Sequence, residues 1–251
     1  TGRCRGPMDY SKAFDVIVIG GGSTGLWTTL DLALRGLSVL LIERNVVGSG
    51  TSGKFHGLLH SGARYVTTDP NSARECIQEN SILSRIAPHA IEDTGGYFVS
   101  VANEDEAFKD KFIKGLRSAN IPYREVKPDD AFREEPELSR EVKSVVEVPD
   151  KVIYAIDLLT SIEYTAFVNG ALILEHAEVV KVEEEAEGLA VTARDAVKGV
   201  DLRFRARVVI NAAGPWAADL LPPLRGEGFL WGREVWGYIP GLCLVQPCAW
   251  S

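Results

Sequence analysis

Apolar positions fall into two kinds of run along the chain. Residues 14–19 (FDVIVI) and 37–43 (LSVLLIE) are nearly continuous and rich in branched side chains, the pattern of parallel strands buried on both faces. Between them Leu26, Leu30, Ala33, Leu34 and Leu37 recur at helical spacing from Ser23 onward. Arg35-Gly36 supplies a last-turn cation and a helix-ending glycine. This predicts a strand, helix, strand unit with parallel strands and a right-handed crossover. Downstream, the spacing predicts helices over 72–86 and 105–120, the second mostly charged and therefore solvated on one face. A strand is expected at 96–101, and strand and helix signals return at 145–148, 157–169 and 171–175. Residues 178–193 alternate about Glu187-Gly188, as a hairpin or meander would, and 204–213 (FRARVVINAA) reads as a buried strand running into Gly214. Residues 122–149, rich in proline and acids, are expected to form loops and short strands with little deep core.

Two segments break the alternation of strand and helix. Residues 47–65 (VGSGTSGKFHGLLHSGARY) are too long and too rich in glycine and hydroxyls to be a simple connection, and loops of that length usually carry function. Residues 222–251 hold three of the five Trp, four of the twelve Pro and two of the four Cys with no period, so they are expected not to extend the pattern before them.

Composition narrows the classes. At 251 residues, 45% hydrophobic and 25% charged, the chain can bury a sizeable core. Lys and Arg total 27 against 35 Asp and Glu, for a net charge of −8, and no basic stripe is present to meet a nucleic-acid backbone. Cys4, Cys76, Cys243 and Cys248 form no CxxC, which argues against a disulfide scaffold or zinc module and for a reducing, cytoplasmic setting. His56 and His60 share a four-residue spacing, but the glycines among them and the want of a third ligand argue against a metal. No apolar run reaches the roughly 18 residues that span a bilayer. The polar, basic residues 1–7 do not read as a signal peptide and are expected to precede a natural start at Met8, the single methionine.

The strongest chemical signal is Gly20-x-Gly22-x-x-Gly25. It follows one predicted strand and opens a helix, and Glu43 closes the next strand 23 positions after Gly20. Gly20 allows the tight turn, Gly22 lets backbone approach a pyrophosphate, and Gly25 permits close packing of helix on strand. Free amides and the helix dipole then face the anion. A carboxylate at the second strand end accepts hydrogen bonds from an unphosphorylated ribose, which favours FAD or NAD over NADP; the pattern itself does not separate FAD from NAD.

Residues 15–44 (DVIVIGGGSTGLWTTLDLALRGLSVLLIER), 50–65 (GTSGKFHGLLHSGARY), 72–80 (SARECIQEN) and 208–217 (VVINAAGPWA) together resemble the FAD-dependent glycerol-3-phosphate dehydrogenases, most closely the large catalytic subunit of the anaerobic type, within the D-amino-acid-oxidase-like flavoproteins. The resemblance implies FAD as cofactor. It matches Gly20, Gly22 and Gly25 to the pyrophosphate turn and Glu43 to the ribose acid. Thr51, Ser52 and Gly53 match the loop that threads past pyrophosphate and flavin, Val180 a strand giving main-chain contacts to adenine, and Ala212, Ala213 and Gly214 a later turn that returns to the cofactor. Arg64 and Tyr65 match the substrate-pocket pair in which the arginine holds the phosphate of glycerol 3-phosphate. His60 is placed near the flavin ring, either as the base that takes the C2 hydroxyl proton while hydride moves to flavin, or only as a hydrogen-bonding partner of the flavin.

The fold so implied is α/β: a Rossmann-like FAD-binding domain over 14–98 and 171–221, a partial antiparallel-sheet substrate domain over 99–170, an N-terminal extension over 1–13 and an atypical tail over 222–251. The implied reaction is oxidation of glycerol 3-phosphate to dihydroxyacetone phosphate, with electrons leaving for a quinone through partner subunits or at the cytoplasmic face of the membrane, where the protein would be peripheral. Chains of this family run longer, with further basic phosphate ligands and a second glycine turn that 222–251 does not display, so a truncated or altered C-terminal part is expected. Two other readings stand beside this one: a related FAD-dependent 2-hydroxyacid oxidoreductase acting on 2-hydroxyglutarate, and a catalytically incomplete FAD-binding fragment.

Overall fold

The computed structural model describes residues 13–101, 103–220, 230–231, 234–235 and 242–244. In chain order the elements are β1 (Phe14–Ile19), α1 (Ser23–Leu34), β2 (Val39–Ile42), β3 (Leu58–Leu59), α2 (Pro70–Ile86), β4 (Ile91–Glu92), β5 (Gly96–Ser100), α3 (Asn103–Ser118), β6 (Arg124–Val126), α4 (Pro128–Glu134), β7 (Ser144–Val148), β8 (Lys151–Ile153), α5 (Ala155–Val168), β9 (Leu172–Leu174), β10 (Ala177–Glu185), β11 (Gly188–Asp195), β12 (Val200–Asn211), β13 (Leu230–Trp231), β14 (Glu234–Val235) and β15 (Leu242–Leu244). They fall into two units, one of residues up to Phe55 together with those from Leu159 onward, the other His56–Leu158.

The first unit is built on a mixed sheet in the order β10-β11-β12-β1-β2-β9, with β15 also paired to β12. β1 lies between two parallel neighbours, so Ile17 faces Leu40 on one side and Val209 on the other. All three are fully buried, which is why both runs are nearly continuous in apolar residues, with polar Asp15 and Ser38 bonded to each other where the two strands begin. The helix α1 completes the crossover from β1 to β2 and buries Leu26, Leu30 and Ala33. Leu34, expected in the same stripe, is 61% exposed, because a step of eight residues from Leu26 turns it about 80° off the buried face. Arg35 forms the C-cap of α1 and pairs with Asp31 at the surface instead of standing in the last turn.

β12 serves two partners along its length. Val200–Ala206 pairs antiparallel with β11, and Ala206–Asn211 pairs parallel with β1. The expected hairpin is present: β10 and β11 close at Glu185 opposite Gly188, and β12 extends it into a meander. Within the segment set apart by composition, Leu242–Leu244 lies parallel to Val209–Asn211 and so continues the sheet on the edge that β11 leaves. Met8, Cys4 and Cys248, with the rest of the expected N-terminal extension up to residue 12, lie outside the described residues, as does most of 222–251.

The second unit holds two small antiparallel sheets, β3-β8-β4 and β5-β7-β6. Its core corrects the expectation for 122–149. β7 is the central strand of its sheet, with Val145, Val146 and Val148 at most 3% exposed, and α4 buries Ala131 beneath it. The valine run outweighs its proline and acid neighbours because it is covered on both faces, by Phe112 and Leu116 of α3 and by the α4 side. No helix among the described residues is long and apolar enough to cross a membrane.

Candidate functional site

β1 ends in a turn in which two positions have no room for a side chain. Gly20 takes φ +104°, and a Cβ there would stand 2.5 Å from the Ala212 carbonyl oxygen; a Cβ on Gly25 would stand 1.9 Å from the Gly20 oxygen. The glycines therefore let α1, β1 and the end of β12 converge to backbone contact. Gly22 is the N-cap of α1 and offers no capping side chain. The cap comes from elsewhere: the Ser23 amide donates to Ser52 Oγ at 2.9 Å. The remaining first-turn amides and the helix dipole present positive potential at this end of α1, the local electrostatics a pyrophosphate requires.

Glu43 follows β2 directly and is fixed by that turn. Its Oε2 accepts the Gly21 amide at 2.7 Å and its Oε1 the Asn45 amide at 2.9 Å. An ionised carboxylate has about four lone-pair sites, so two backbone donors leave capacity for ribose hydroxyls. The loop after Glu43 is anchored at two points, where the Gly48 amide donates to the Gly21 carbonyl at 2.9 Å and the Val47 amide donates to Glu175 Oε1 at 2.6 Å. It leads into a single 3-10 turn of Thr51, Ser52 and Gly53, with Thr51 exposed. The Arg44 guanidinium lies 4.0 Å over the Trp216 ring, joining this region to the chain beyond β12.

At the end of β12 the Ala212 amide donates to the Ile19 carbonyl at 2.8 Å, and Gly214 takes φ +59°. Ala213 donates its amide to Asn211 Oδ1 at 3.2 Å, while Asn211 Nδ2 donates to the Ala217 carbonyl at 2.8 Å. Asn211 is 1% exposed and shapes this turn, a role the sequence reading did not assign. Its signal was a lone amide inside the apolar run VVINAA, since a buried polar group must find partners. Val180 stands at an irregularity in β10: the register passes from Val179 opposite Ala193 to Lys181 opposite Thr192, leaving no residue across from Val180. Such a bulge takes main-chain groups out of the ladder. The structure thus gathers Gly20, Gly22, Gly25, Glu43, Ser52, Ala213 and Gly214 at the β1 end of the first unit, with Val180 on β10 of the same unit.

His60, Arg64 and Tyr65 belong to the second unit. β3 and β8 pair with Leu58 opposite Val152 and Leu59 opposite Lys151, so the next step along the ladder sets His60 across from Asp150. His60 Nδ1 stands 3.8 Å from Asp150 Oδ2, an ion-pair distance, and both residues are over nine-tenths buried. The Ser61 amide donates to Asp150 Oδ1 at 2.6 Å. Burial opposes ionisation of Asp150, yet the contacts with His60 and Ser61 outweigh it and hold the carboxyl below its ordinary value. Asn80 of α2, 2% exposed, donates Nδ2 to the carbonyls of Leu59 at 3.1 Å and Pro149 at 3.3 Å, the residues just before His60 and Asp150. Asp150 and Asn80 were not singled out from the sequence; an acid in a proline-rich stretch and an asparagine in a helix carry no local signal of their pairing.

Gly62, at φ +88°, turns the chain into a 3-10 turn of Ala63–Tyr65, and a Cβ on Gly62 would meet the Ala73 oxygen of α2 at 2.4 Å. That contact seats the turn on α2. Arg64 is exposed, with its guanidinium carbon 5.3 Å from the Tyr65 ring centroid.

Comparison with known proteins shows the family and the fold. The sequence profile of the family described as FAD dependent oxidoreductase matches residues 15–234. A subunit of the anaerobic glycerol-3-phosphate dehydrogenase of Escherichia coli (strain K12) is 42% identical over 211 residues, covering 84% of this chain and 39% of that protein. The chain thus spans about two-fifths of the length of the curated relatives it matches. Among solved structures, glycine oxidase from Geobacillus kaustophilus superposes with a TM-score of 0.71 at 24% identity, covering 83% of this chain and 57% of that one. A glycerol-3-phosphate dehydrogenase from Bacillus halodurans complexed with FAD gives 0.57 at 24% identity, over 82% of this chain and 35% of that one. At those identities the two structures speak for the fold, a mixed α/β architecture of the expected class. With the profile running from the first residues of β1 to past β12 and through the glycine turn between them, the chain belongs to the family of FAD dependent oxidoreductases.

Proposed function

We propose that this chain uses FAD to oxidise sn-glycerol 3-phosphate to dihydroxyacetone phosphate. The observation that carries the substrate is the 3-10 turn seated by Gly62, which sets an exposed Arg64 four residues from the buried His60, in a chain 42% identical to part of an anaerobic glycerol-3-phosphate dehydrogenase. A planar guanidinium meets a phosphate dianion through two parallel hydrogen bonds, which a lysine cannot do. Tyr65 beside it adds a hydroxyl for the same anion.

The first unit would hold the cofactor. Gly20, Gly22 and Gly25 would receive the pyrophosphate at the start of α1, Glu43 the adenosine ribose, and main chain at Val180 the adenine. Thr51, Ser52, Gly53, Ala213 and Gly214 would line its course. The fit rests on the side-chain-free cradle and on a helix N-terminus whose own cap residue is glycine. Bound FAD supplies the two-electron acceptor that takes the C2 hydride. The chain's own task is to orient C2 and to remove the hydroxyl proton: Arg64 and Tyr65 fix the phosphate end, and His60 accepts the proton as the C2 carbonyl forms. The electrons then pass to a quinone through partner subunits, a reading supported by the naming of the relatives as subunits. Peripheral membrane contact at the cytoplasmic face would follow from that partnership.

Anaerobic titration of the FAD-reconstituted protein tests the reading. Glycerol 3-phosphate should bleach the flavin bands while 2-hydroxyglutarate leaves them unchanged. Bleaching by 2-hydroxyglutarate alone would overturn the substrate assignment, and a protein that cannot be reconstituted with FAD would overturn the cofactor assignment and support the reading as an incomplete fragment.

A further inference from the structure

We propose that Asp150 is a positioning residue for His60, holding the imidazole as the tautomer protonated on Nδ1 so that Nε2 carries the lone pair that accepts the substrate proton. The inference rests on the proposed role of His60 as base and extends it to a residue that acts through His60.

Three independent features converge on the pair. The β3–β8 register, Leu58 with Val152 and Leu59 with Lys151, delivers His60 and Asp150 to facing positions just past the last ladder pair. Asp150 is then held on its far side, because Oδ1 accepts the Ser61 amide at 2.6 Å and Oδ2 is left toward His60 Nδ1 at 3.8 Å. Finally, Asn80 ties the carbonyls of Leu59 and Pro149 together with one amide group, so the two chain segments cannot slide past each other without breaking a part-buried hydrogen bond. Among the described residues His56 also lies against His60, its ring centroid 5.2 Å away and edge-on, and its Nδ1 accepts the Leu58 amide at 3.0 Å, which commits that ring to the backbone.

The chemistry of the pair fixes the tautomer. An ionised carboxylate can only accept, and at 3.8 Å its charge favours the proton on the nitrogen that faces it. Asp150 is ionised at neutral pH, since His60 and Ser61 overcome its burial. The proton therefore sits on Nδ1, and Nε2 is the basic nitrogen. As the substrate hydroxyl proton arrives on Nε2, the imidazolium that forms faces a fixed negative charge, and no group has to reorient. The same carboxylate–imidazole logic operates in the Ser-His-Asp triad.

Asp150→Asn separates this role from a merely structural one. The asparagine Oδ1 can keep the Ser61 amide, which turns its NH2 toward His60 and obliges Nδ1 to accept. We expect the 15N shifts of neutral His60, read in the full chain, to report the proton on Nδ1 in the natural protein and on Nε2 in Asp150→Asn, with His89 and His176 unchanged. Flavin reduction by glycerol 3-phosphate in the reconstituted variant should slow about 100-fold or more, with substrate affinity altered less than about threefold, as loss of an interaction made only in the transition state requires. A proton on Nε2 of His60 in the natural protein overturns the proposal with no variant needed, as does an unchanged tautomer in Asp150→Asn. If glycerol 3-phosphate fails to reduce even the natural protein, the substrate reading falls while the tautomer measurement still decides the role of Asp150.

Discussion

Ser52 caps a helix to which it does not belong: its Oγ accepts the Ser23 amide at 2.9 Å, 29 positions back along the chain. The glycine at the N-cap, Gly22, cannot do this for itself. A helix whose N-cap is glycine thus borrows its cap from the loop that follows β2, and helix start and loop are held as one piece.

Ser52→Ala removes that cap. Loss of an N-cap hydroxyl typically costs about 1 kcal/mol, which for a chain of this size lowers Tm by roughly 2–4 °C. Calorimetry of the FAD-free protein checks this, and Ser52→Thr, which keeps an oxygen in place, should recover most of the loss. An unchanged Tm in Ser52→Ala would show that water replaces the hydroxyl without penalty.

Two glycine substitutions separate shape from backbone freedom. Gly36 takes φ +82° with open space about it, so Gly36→Ala carries only the left-handed strain, about 1–2 kcal/mol, and should retain FAD. Gly25 has an ordinary backbone but would put a Cβ 1.9 Å from the Gly20 oxygen, so Gly25→Ala must push α1 off the turn. It should destabilise by about 1–3 kcal/mol and lose flavin as well. Absorbance of the two purified variants after FAD reconstitution is the measurement, and equal flavin content would refute the close-packing role given to Gly25.

The contrast between these glycines also shows what the sequence could reveal. Local order was legible wherever one segment carried the whole signal: β1, the glycine turn, α1 and β2 are contiguous, and a strand buried on both faces has no choice but to be apolar. Asn211 was nearly legible, as a polar interruption of such a strand. Asp150 was not, because its meaning arises only when β3 and β8 pair across some ninety positions, |i−j| being 89 for its bond to Ser61. Nor was the cap supplied by Ser52, which depends on where a loop returns. The burial of Val145 to Val148 was underestimated for a related reason: the flanking acids and prolines dominate composition there, whereas the sheet position of β7 decides exposure.

Arg64 offers the most direct test of phosphate recognition. Charge-assisted hydrogen bonds are worth about 1.5–3 kcal/mol, so Arg64→Ala should weaken glycerol 3-phosphate binding roughly 10–100-fold in a titration followed by the flavin spectrum. Arg64→Lys should recover only part of this, since a point charge cannot reproduce a two-point contact. Unfolding temperature should scarcely move, because the side chain is exposed. An Arg64→Ala protein with unaltered affinity would place the phosphate elsewhere.

Acid stability tests the charge state of Asp150 by itself. Its carboxyl is held below the ordinary 3.8 by His60 and Ser61 despite the opposing effect of burial. A carboxyl depressed in the folded state favours folding above the unfolded-state value, and that contribution disappears as pH falls through the lower folded-state value. The natural protein should therefore exceed Asp150→Asn in Tm at pH 7 and keep that margin down to about pH 4. Below 3.8 the margin should shrink as the carboxylate is protonated and its charge-assisted bonds weaken. Asn serves as the reference because it preserves the Ser61 contact and cannot titrate, so the pH-dependent difference belongs to the charge and its neighbours. A margin that widened on acidification would mean that the native carboxyl is already protonated near neutrality; it would then donate to His60, and the imidazole proton would move to the other nitrogen.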